Sequence, residues 1–496
     1  MSDATLDVEC DAGTLRGTRD RGALVFRNIP FAAPPVGDMR FEPPQDPQPW
    51  TGIRDATRNG PIAPQGRSRL ADVMGDFSAG QSEDCLTLNV WTPAADAKQR
   101  PVLVFIHGGG FSSGAGSLPW YSGHVLAVAN DIVVVTVNYR LGALGYLYLP
   151  GVSPGNLGLL DNVAALRWVQ RNIARFGGDP LQVTVSGQSA GAMSTLAMMT
   201  SPAARGLFRR AISQSAAFGS LARTVEDAER IGAQFAQLLG VPSTDAQKFK
   251  TLPVGALLEA SGKLARLRAE FANTSPPFLP TIDGTTIPRE IVGALRDGAG
   301  RGIDLMIGTT REESAAFCAI DPGIQAATET QVFEVFERVF GASAAEQLDV
   351  YKRRRPQHTA QWLLTDIITD EQFLMTMLRV AEERANAGRP AYVYQFDWQS
   401  RAQRAFAACH CLELPFVFGN VEDWPDAPML EGADPAEVMA LGRVMVAAWG
   451  AFVRTGSPNH RDLPHWSPYE PARRTTMRFD RVTGPVDDLA GFAQRL

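Results

Sequence analysis

Apolar and polar residues follow two rhythms along this chain, and the change falls near residue 100. Before it, short β-like pieces such as Gly22-Ala-Leu-Val-Phe-Arg27 and Cys85-Leu-Thr-Leu-Asn-Val-Trp91 sit among many glycines and prolines. That pattern predicts a small N-terminal antiparallel sheet. After it, short and largely apolar runs at 102–106, 132–137, 183–185, 305–307 and 392–396 are separated by helical stretches. Continuous apolar strands with helical connections imply a mostly parallel central sheet buried on both faces and flanked by helices, an α/β architecture. One connecting helix is predicted from about 161 to 176. Leu166, Val169, Ile173 and Phe176 recur at helical spacing, Asp161 is placed as its N-cap, and Gly177-Gly178 with Pro180 ends it. Helical sections at about 224–267 and 329–383 exceed what simple crossovers need. They predict cap or lateral insertions, at approximately 220–290 and 315–385, within a single catalytic domain over residues 1–496.

Composition adds exclusions. The 496 residues are 45% hydrophobic and 20% charged, with a formal net charge of −6, which disfavours a nucleic-acid or anionic-membrane surface. The most apolar region, 132–149, is broken by Asn138 and Arg140, so no stretch is expected to span a bilayer. Residues 1–7 lack the basic and apolar regions of a secretory signal. The cysteines at 10, 85, 318, 409 and 411 form an odd, scattered set without disulfide spacing, and a reducing, cytoplasmic compartment is expected. The cluster Lys352-Arg353-Arg354-Arg355 reads as a solvated loop beside Pro356.

Chemistry enters with Gly187-Gln188-Ser189-Ala190-Gly191, a G-x-S-x-G pattern directly behind the apolar run Gln182-Val-Thr-Val-Ser186 and ahead of a Pro-free run from 190 to 199. Strand, sharp turn and helix are the setting in which such a serine is exposed above a sheet as a nucleophile. A serine hydroxyl needs a base. On sheets of this kind the chain order is Ser, then Asp or Glu, then His, which sets aside His107 and His124 and leaves His358, His410, His460 and His465. His410 lies on a loop beyond a late strand, on the side where the catalytic loops of a parallel sheet emerge. The acid is expected after the run at 305–307, where Thr309-Thr-Arg-Glu-Glu-Ser314 offers Glu312 and Glu313 and position alone does not choose. His107-Gly108-Gly109-Gly110-Phe111 supplies backbone N–H groups for an oxyanion. Its glycine spacing is off the dinucleotide fingerprint and lacks a Lys-Ser/Thr ending, against a phosphate cradle. Cys409 and Cys411 flank His410 without further ligands at zinc spacing, so no metal site is expected.

Together these residues resemble the type-B carboxylesterase/lipase family of α/β-hydrolases, which includes cholinesterases and bacterial para-nitrobenzyl esterases. The resemblance runs from Phe26-Arg-Asn-Ile-Pro-Phe-Ala-Ala-Pro-Pro35 through Ser82-Glu-Asp-Cys-Leu-Thr-Leu-Asn-Val-Trp91, Asn138-Tyr-Arg-Leu-Gly142, Gly155-Asn-Leu-Gly-Leu-Leu-Asp161 and Phe176-Gly-Gly-Asp-Pro180. It closes with Ala448-Trp-Gly-Ala-Phe-Val-Arg-Thr-Gly-Ser-Pro-Asn459. It implies the α/β-hydrolase fold and a Ser189–Glu313–His410 triad: the acid by register in Arg311-Glu312-Glu313-Ser314, where Ser replaces the family's Gly, and the base by the His410-to-Phe418 pattern. It also implies oxyanion donors at Gly109, Gly110 and Ala190, ion pairs Arg40–Glu83 and Arg140–Asp161, and a second serine, Ser215, hydrogen-bonded within the cluster. Two departures matter. Ala63 stands where secreted relatives carry a cysteine, which leaves Cys85 unpaired. Gly75 stands where cholinesterases place a tryptophan for a quaternary ammonium group, which disfavours choline esters.

The expected activity is hydrolysis of small-molecule carboxylic esters through an acyl-enzyme, with no cofactor and no metal, by a monomer or homodimer that engages neither nucleic acid nor membrane. Two alternatives stand beside it. One is a specialised hydrolase of a carbamate, thioester or bulky xenobiotic or natural-product ester on the same site. The other is a non-catalytic binding relative, which the retained Ser, Glu and His disfavour.

Overall fold

The computed structural model describes residues 6–217, 219 and 221–489. Residues 1–5 of the N-terminal reading above lie outside the described residues. The strands, in chain order, are β1 (Leu6–Cys10), β2 (Gly13–Asp20), β3 (Ala23–Pro30), β4 (Ile53–Asp55), β5 (Thr87–Thr92), β6 (Arg100–Ile106), β7 (Val133–Val137), β8 (Tyr148–Leu149), β9 (Ser153–Pro154), β10 (Gly178–Gln188), β11 (Arg210–Gln214), β12 (Asp304–Thr310), β13 (Tyr392–Phe396), β14 (Thr476–Phe479) and β15 (Gly484–Val486). All but the hairpin β8–β9 belong to one sheet, ordered β1-β2-β3-β5-β7-β6-β10-β11-β12-β13-β14-β15, with β4 beside β2. From β7 to β14 every pairing is parallel. The N-terminal strands do not make a separate small sheet: β3 pairs antiparallel with β5 and β5 with β7, so they extend the central sheet as its edge.

Strand β6 shows why these runs are continuously apolar. Val102, Val104 and Ile106 enter the hydrophobic core on one face, while Leu103 and Phe105 enter the core on the other. With period-2 side chains and helices on both faces, every position from Val102 to Ile106 is buried, and each such side chain contributes about 1.5–3 kcal/mol. Several later strands were not foreseen, among them β8, β9, β11, β14 and β15. β11 (Arg-Ala-Ile-Ser-Gln) is buried throughout but carries polar residues that serve the site, and β14 and β15 are too short to show a pattern.

The connecting helix begins earlier than its pattern predicts, at Leu157, and runs to Asn172 before a 3-10 turn over Ile173–Phe176. Asp161 is therefore not an N-cap. It lies inside the helix, fully buried, where it receives Arg140 through Nε at 2.9 Å and Nη2 at 2.7 Å. The first helical insertion comprises Val225–Leu239, Ala246–Thr251 and Val254–Leu267, and its Phe235, Leu257 and Leu264 join the main core. The second builds a core of its own from Val332, Val335, Phe336, Leu364, Ile367 and their neighbours.

Two further expectations are corrected. Lys352, Arg353 and Arg354 form the last turn of a helix, where cations suit the C-terminal dipole, rather than a solvated loop. Arg354 pairs with Asp370 at 3.2 Å, and Arg355 pairs with Asp366 at 2.9 Å and lies over Trp362. The helix Pro435–Thr455 is long and apolar enough to cross a membrane by length and composition, but 61% of its apolar window is buried inside the protein. Its Trp449, Phe452 and Val453 pack in the core behind the sheet.

Candidate active site

Chain direction sends β6 outward to β7 on one side and β10 to β11 on the other, so a crevice opens above the C-terminal ends of β6 and β10, as expected at a switch of this kind. Ser189 stands there, one residue past β10 and immediately before the helix Ala190–Thr200. Its backbone takes φ 57° and ψ −121°, a conformation that costs a non-glycine residue about 1–3 kcal/mol. The surroundings hold it: Ser189 N donates to Gln214 O at 2.8 Å, and Met193 N donates to Ser189 O at 3.0 Å. The flanking glycines are obligatory by contact. A Cβ on Gly187 would lie 2.2 Å from Gly191 O, and one on Gly191 would lie 2.0 Å from Ile106 O.

The glycine loop after β6 faces this serine. Gly109 has φ 110°, and a Cβ there would sit 2.1 Å from Ser113 O, at the far end of a tight turn in which Ser113 N donates to Gly109 O at 3.0 Å. Among the described residues the N–H groups of Gly109, Gly110 and Ala190 donate to no protein acceptor. His107 does not act as a base. Burial pushes its pKa down to about 4, its Nδ1 bonds Gly108 O at 2.7 Å, and its ring stacks on Tyr139, whose hydroxyl holds His107 O at 2.8 Å.

Glu313 and His410 meet although they lie 97 positions apart: Nδ1 and Oε2 are 2.5 Å from one another, and both side chains are buried. The other carboxylate oxygen accepts from Thr310 N at 2.8 Å, at the end of β12, while His410 N donates to Glu313 O at 3.2 Å. Glu312 turns away. It accepts from Ala408 N at 3.3 Å and pairs with Arg311 and Arg355, so it braces the loop that carries His410. With Nδ1 donating to Glu313, Nε2 of His410 is bare, and the side-chain amide of Gln188 sits 3.2 Å from it. No hydrogen bond joins Ser189 Oγ to His410 in this conformation; both side chains line one cleft.

The remaining expectations divide. Arg40 holds Glu83 with two bonds at 2.6–2.7 Å and donates to Leu252 O at 2.6 Å, and Arg140–Asp161 forms as expected. Ser215 is buried with φ 58°, but its hydroxyl has no partner; its backbone N–H, bonded to Gly308 O at 2.8 Å, extends the parallel β11–β12 ladder by one residue. The expected hydrogen bond of that hydroxyl is thus absent. His358 and His460 bond backbone groups well away from the cleft. All five cysteines are free and buried, and no cluster of metal-ligating side chains occurs among the described residues.

Besides Gln188, further contributors went unforeseen. Phe317 and Phe373 pack on the His410 ring at centroid distances of 5.7 and 5.0 Å, Phe373 being aimed there by a π-helical turn over Asp370–Leu374. Glu413, three residues past the base, is wholly buried and accepts from Gln214 Nε2 at 3.3 Å; burial and then the charge of Glu313 push its pKa up to about 8. Only its place in the His-x-x-Glu pattern marked it. The cleft itself is narrow, about 40 Å³, walled by Met74, Phe77, Trp120, Tyr121 and the two phenylalanines. A larger cavity of about 1120 Å³ lies behind the acid loop, lined by Arg355, Asp366 and Asp397, and holds no nucleophile.

A parallel sheet with a strained serine lining a cleft at its switch point defines an α/β-hydrolase, and more narrowly a serine hydrolase. Residues 2–489 match the model of the carboxylesterase family. The chain is 40% identical over 461 residues to phenmedipham hydrolase of Pseudarthrobacter oxydans, covering 92% of this chain and 91% of that one. It is 39% identical over 473 residues to para-nitrobenzyl esterase of Bacillus subtilis, covering 94% and 93%. The crystal structure of a Geobacillus stearothermophilus carboxylesterase at pH 6.2 superposes with a TM-score of 0.88 at 38% identity over 99% of each chain. The chain belongs to the carboxylesterase family and is a serine hydrolase of carboxylic esters.

Proposed function

We propose that Ser189 Oγ attacks the ester carbonyl while His410 Nε2 takes its proton, with Glu313 orienting the ring and stabilising the imidazolium. The carbonyl oxygen, now an oxyanion, accepts from the N–H groups of Gly109, Gly110 and Ala190, which have no other partner. Collapse expels the alcohol, protonated by His410, and leaves an acyl-Ser189. Water then gives its proton to His410 and attacks the acyl carbon; the acid departs and Ser189 recovers its proton. For the first transfer, the Gln188 amide yields its place at Nε2 to the serine hydroxyl. The observation that carries this reading is the 2.5 Å Glu313–His410 bond in the cleft that Ser189 lines. Ser189→Ala is expected to lose both turnover of short para-nitrophenyl esters and fluorophosphonate labelling; retained labelling refutes Ser189 as nucleophile.

The names of the relatives extend to phenmedipham and para-nitrobenzyl esters, so the same machinery in this chain suits a small aryl or benzyl ester or a carbamate. An apolar, aromatic cleft supports that choice. We place the enzyme in the cytoplasm, in keeping with its five unpaired cysteines, as one catalytic domain with helical insertions, monomeric or dimeric, free of nucleic acid and membrane. Static light scattering measures the assembly.

A further inference from the structure

One cation stands on the wall of the cleft without an acidic partner. Arg69 lines it together with Ser189, His410 and Phe317. Its Nη1 donates to the backbone oxygen of Thr274 at 2.9 Å, and its guanidinium lies 5.6 Å from the centre of the Phe317 ring. That same ring packs on His410, so one phenyl group separates the guanidinium from the base. Its neighbour Arg67 shows the contrast: two carboxylates, Asp72 at 2.8 Å and Asp76 at 3.1 Å, satisfy it on the outer surface. No carboxylate of a described residue lies within ion-pair distance of Arg69, and the residue is exposed to solvent on the cleft wall. An exposed arginine on a cleft wall, held by one carbonyl, keeps donors free to fork onto a planar anion.

We propose that Arg69 is an anion subsite and that the enzyme favours esters bearing a carboxylate about one ring's width from the scissile carbonyl. The inference rests on the serine-esterase reading above and names a substrate class for it. Apart from His410, the other polar side chains lining the cleft, among them Ser68, Ser113, Tyr121 and Gln188, are neutral, so Arg69 is the group that distinguishes a charged substrate from its neutral isostere.

The test uses two pairs of substrates: 4-nitrophenyl hydrogen glutarate against its methyl ester, with the charge on the acyl side, and 4-acetoxybenzoate against its methyl ester, with the charge on the alcohol side. In the wild-type enzyme kcat/KM is expected to favour the charged member of one or both pairs by about ten- to a hundred-fold, less at high salt. Arg69→Met abolishes that preference and Arg69→Lys restores part of it. Absence of preference in both pairs, or a preference unchanged in Arg69→Met, overturns the proposal. Should Arg69→Met fail to fold, Arg69→Gln gives the same readout. Fluorophosphonate labelling of the wild type separates the two readings: labelling without charge preference sinks only the subsite, and no labelling sinks the serine mechanism beneath it.

Discussion

Replacing Glu313 by glutamine changes one oxygen to an amide nitrogen, and the structure dictates which. Thr310 N donates to one carboxylate oxygen at 2.8 Å, and only the amide oxygen of a glutamine can accept there. The NH₂ group is then forced towards His410 Nδ1, where Oε2 now lies 2.5 Å away. Two donors cannot face one another, so Nδ1 must give up its hydrogen and accept, which places the proton on Nε2. The ring then offers Ser189 a donor where a lone pair is required, and a wrong tautomer of this kind costs about 10⁴-fold in kcat. Glu312→Gln retains an acceptor for Ala408 N and loses only its charge opposite Arg311 and Arg355, so it is expected to cost tenfold or less. Pre-steady-state release of para-nitrophenol reads the acylation step, and fluorophosphonate labelling shows that the serine is in place. A larger loss in Glu312→Gln, or more than a tenth of wild-type acylation in Glu313→Gln, refutes the assignment of the acid.

Gln188→Glu puts a carboxylate beside Nε2 at about the present 3.2 Å, which favours the imidazolium, so the acidic limb of the kcat/KM–pH profile is expected to move up by about one unit; an unmoved limb means that the side chain does not face the base. Glu413, with a folded pKa of about 8 against an ordinary value of 4.5, binds a proton in the folded protein that the unfolded chain lacks between those values. Stability through this group therefore falls as pH rises across that window, by about 1.4 kcal/mol per unit. Glu413→Gln removes that slope, so urea unfolding from pH 5.5 to 7.5 should show the variant gaining on the wild type; parallel curves contradict the buried-acid account. Asp161→Asn leaves buried Arg140 without its anion and is expected to cost about 3–5 kcal/mol in the same unfolding assay, with a loss below 1 kcal/mol showing the pair to be incidental.

What could be read from the chain was whatever is dictated locally. Gly187 and Gly191 surround Ser189 because backbone oxygens occupy the space a Cβ would need, and that constraint leaves its mark within five residues. The buried strands were legible for the same reason, being apolar on both faces. Roles set by distant contacts were not. Gln188 meets His410 across 222 positions and Gln214 meets Glu413 across 199, and nothing in the local sequence of either glutamine announces it. Glu313 could be preferred to Glu312 only through family resemblance; its reach to the base depends on how the chain turns beyond Thr310. Asp161 was misplaced at a helix start because the apolar spacing counted from Leu166 does not show that the helix opens a turn earlier, at Leu157; its pairing with Arg140 was implied by the resemblance alone.

The second insertion leaves the sheet at β12 and returns at β13, the first leaves at β11 and returns at β12, and between them they bring Phe317, Phe373 and the Thr274 carbonyl to the cleft. The reacting groups themselves hang from strand ends locked in parallel register. Walls and chemistry are thus encoded in separable stretches of gene. Recombining 221–303 or 315–391 among relatives should trade substrate ranges while the hydrolytic apparatus is inherited intact, which makes those two stretches the natural crossover units for directed evolution.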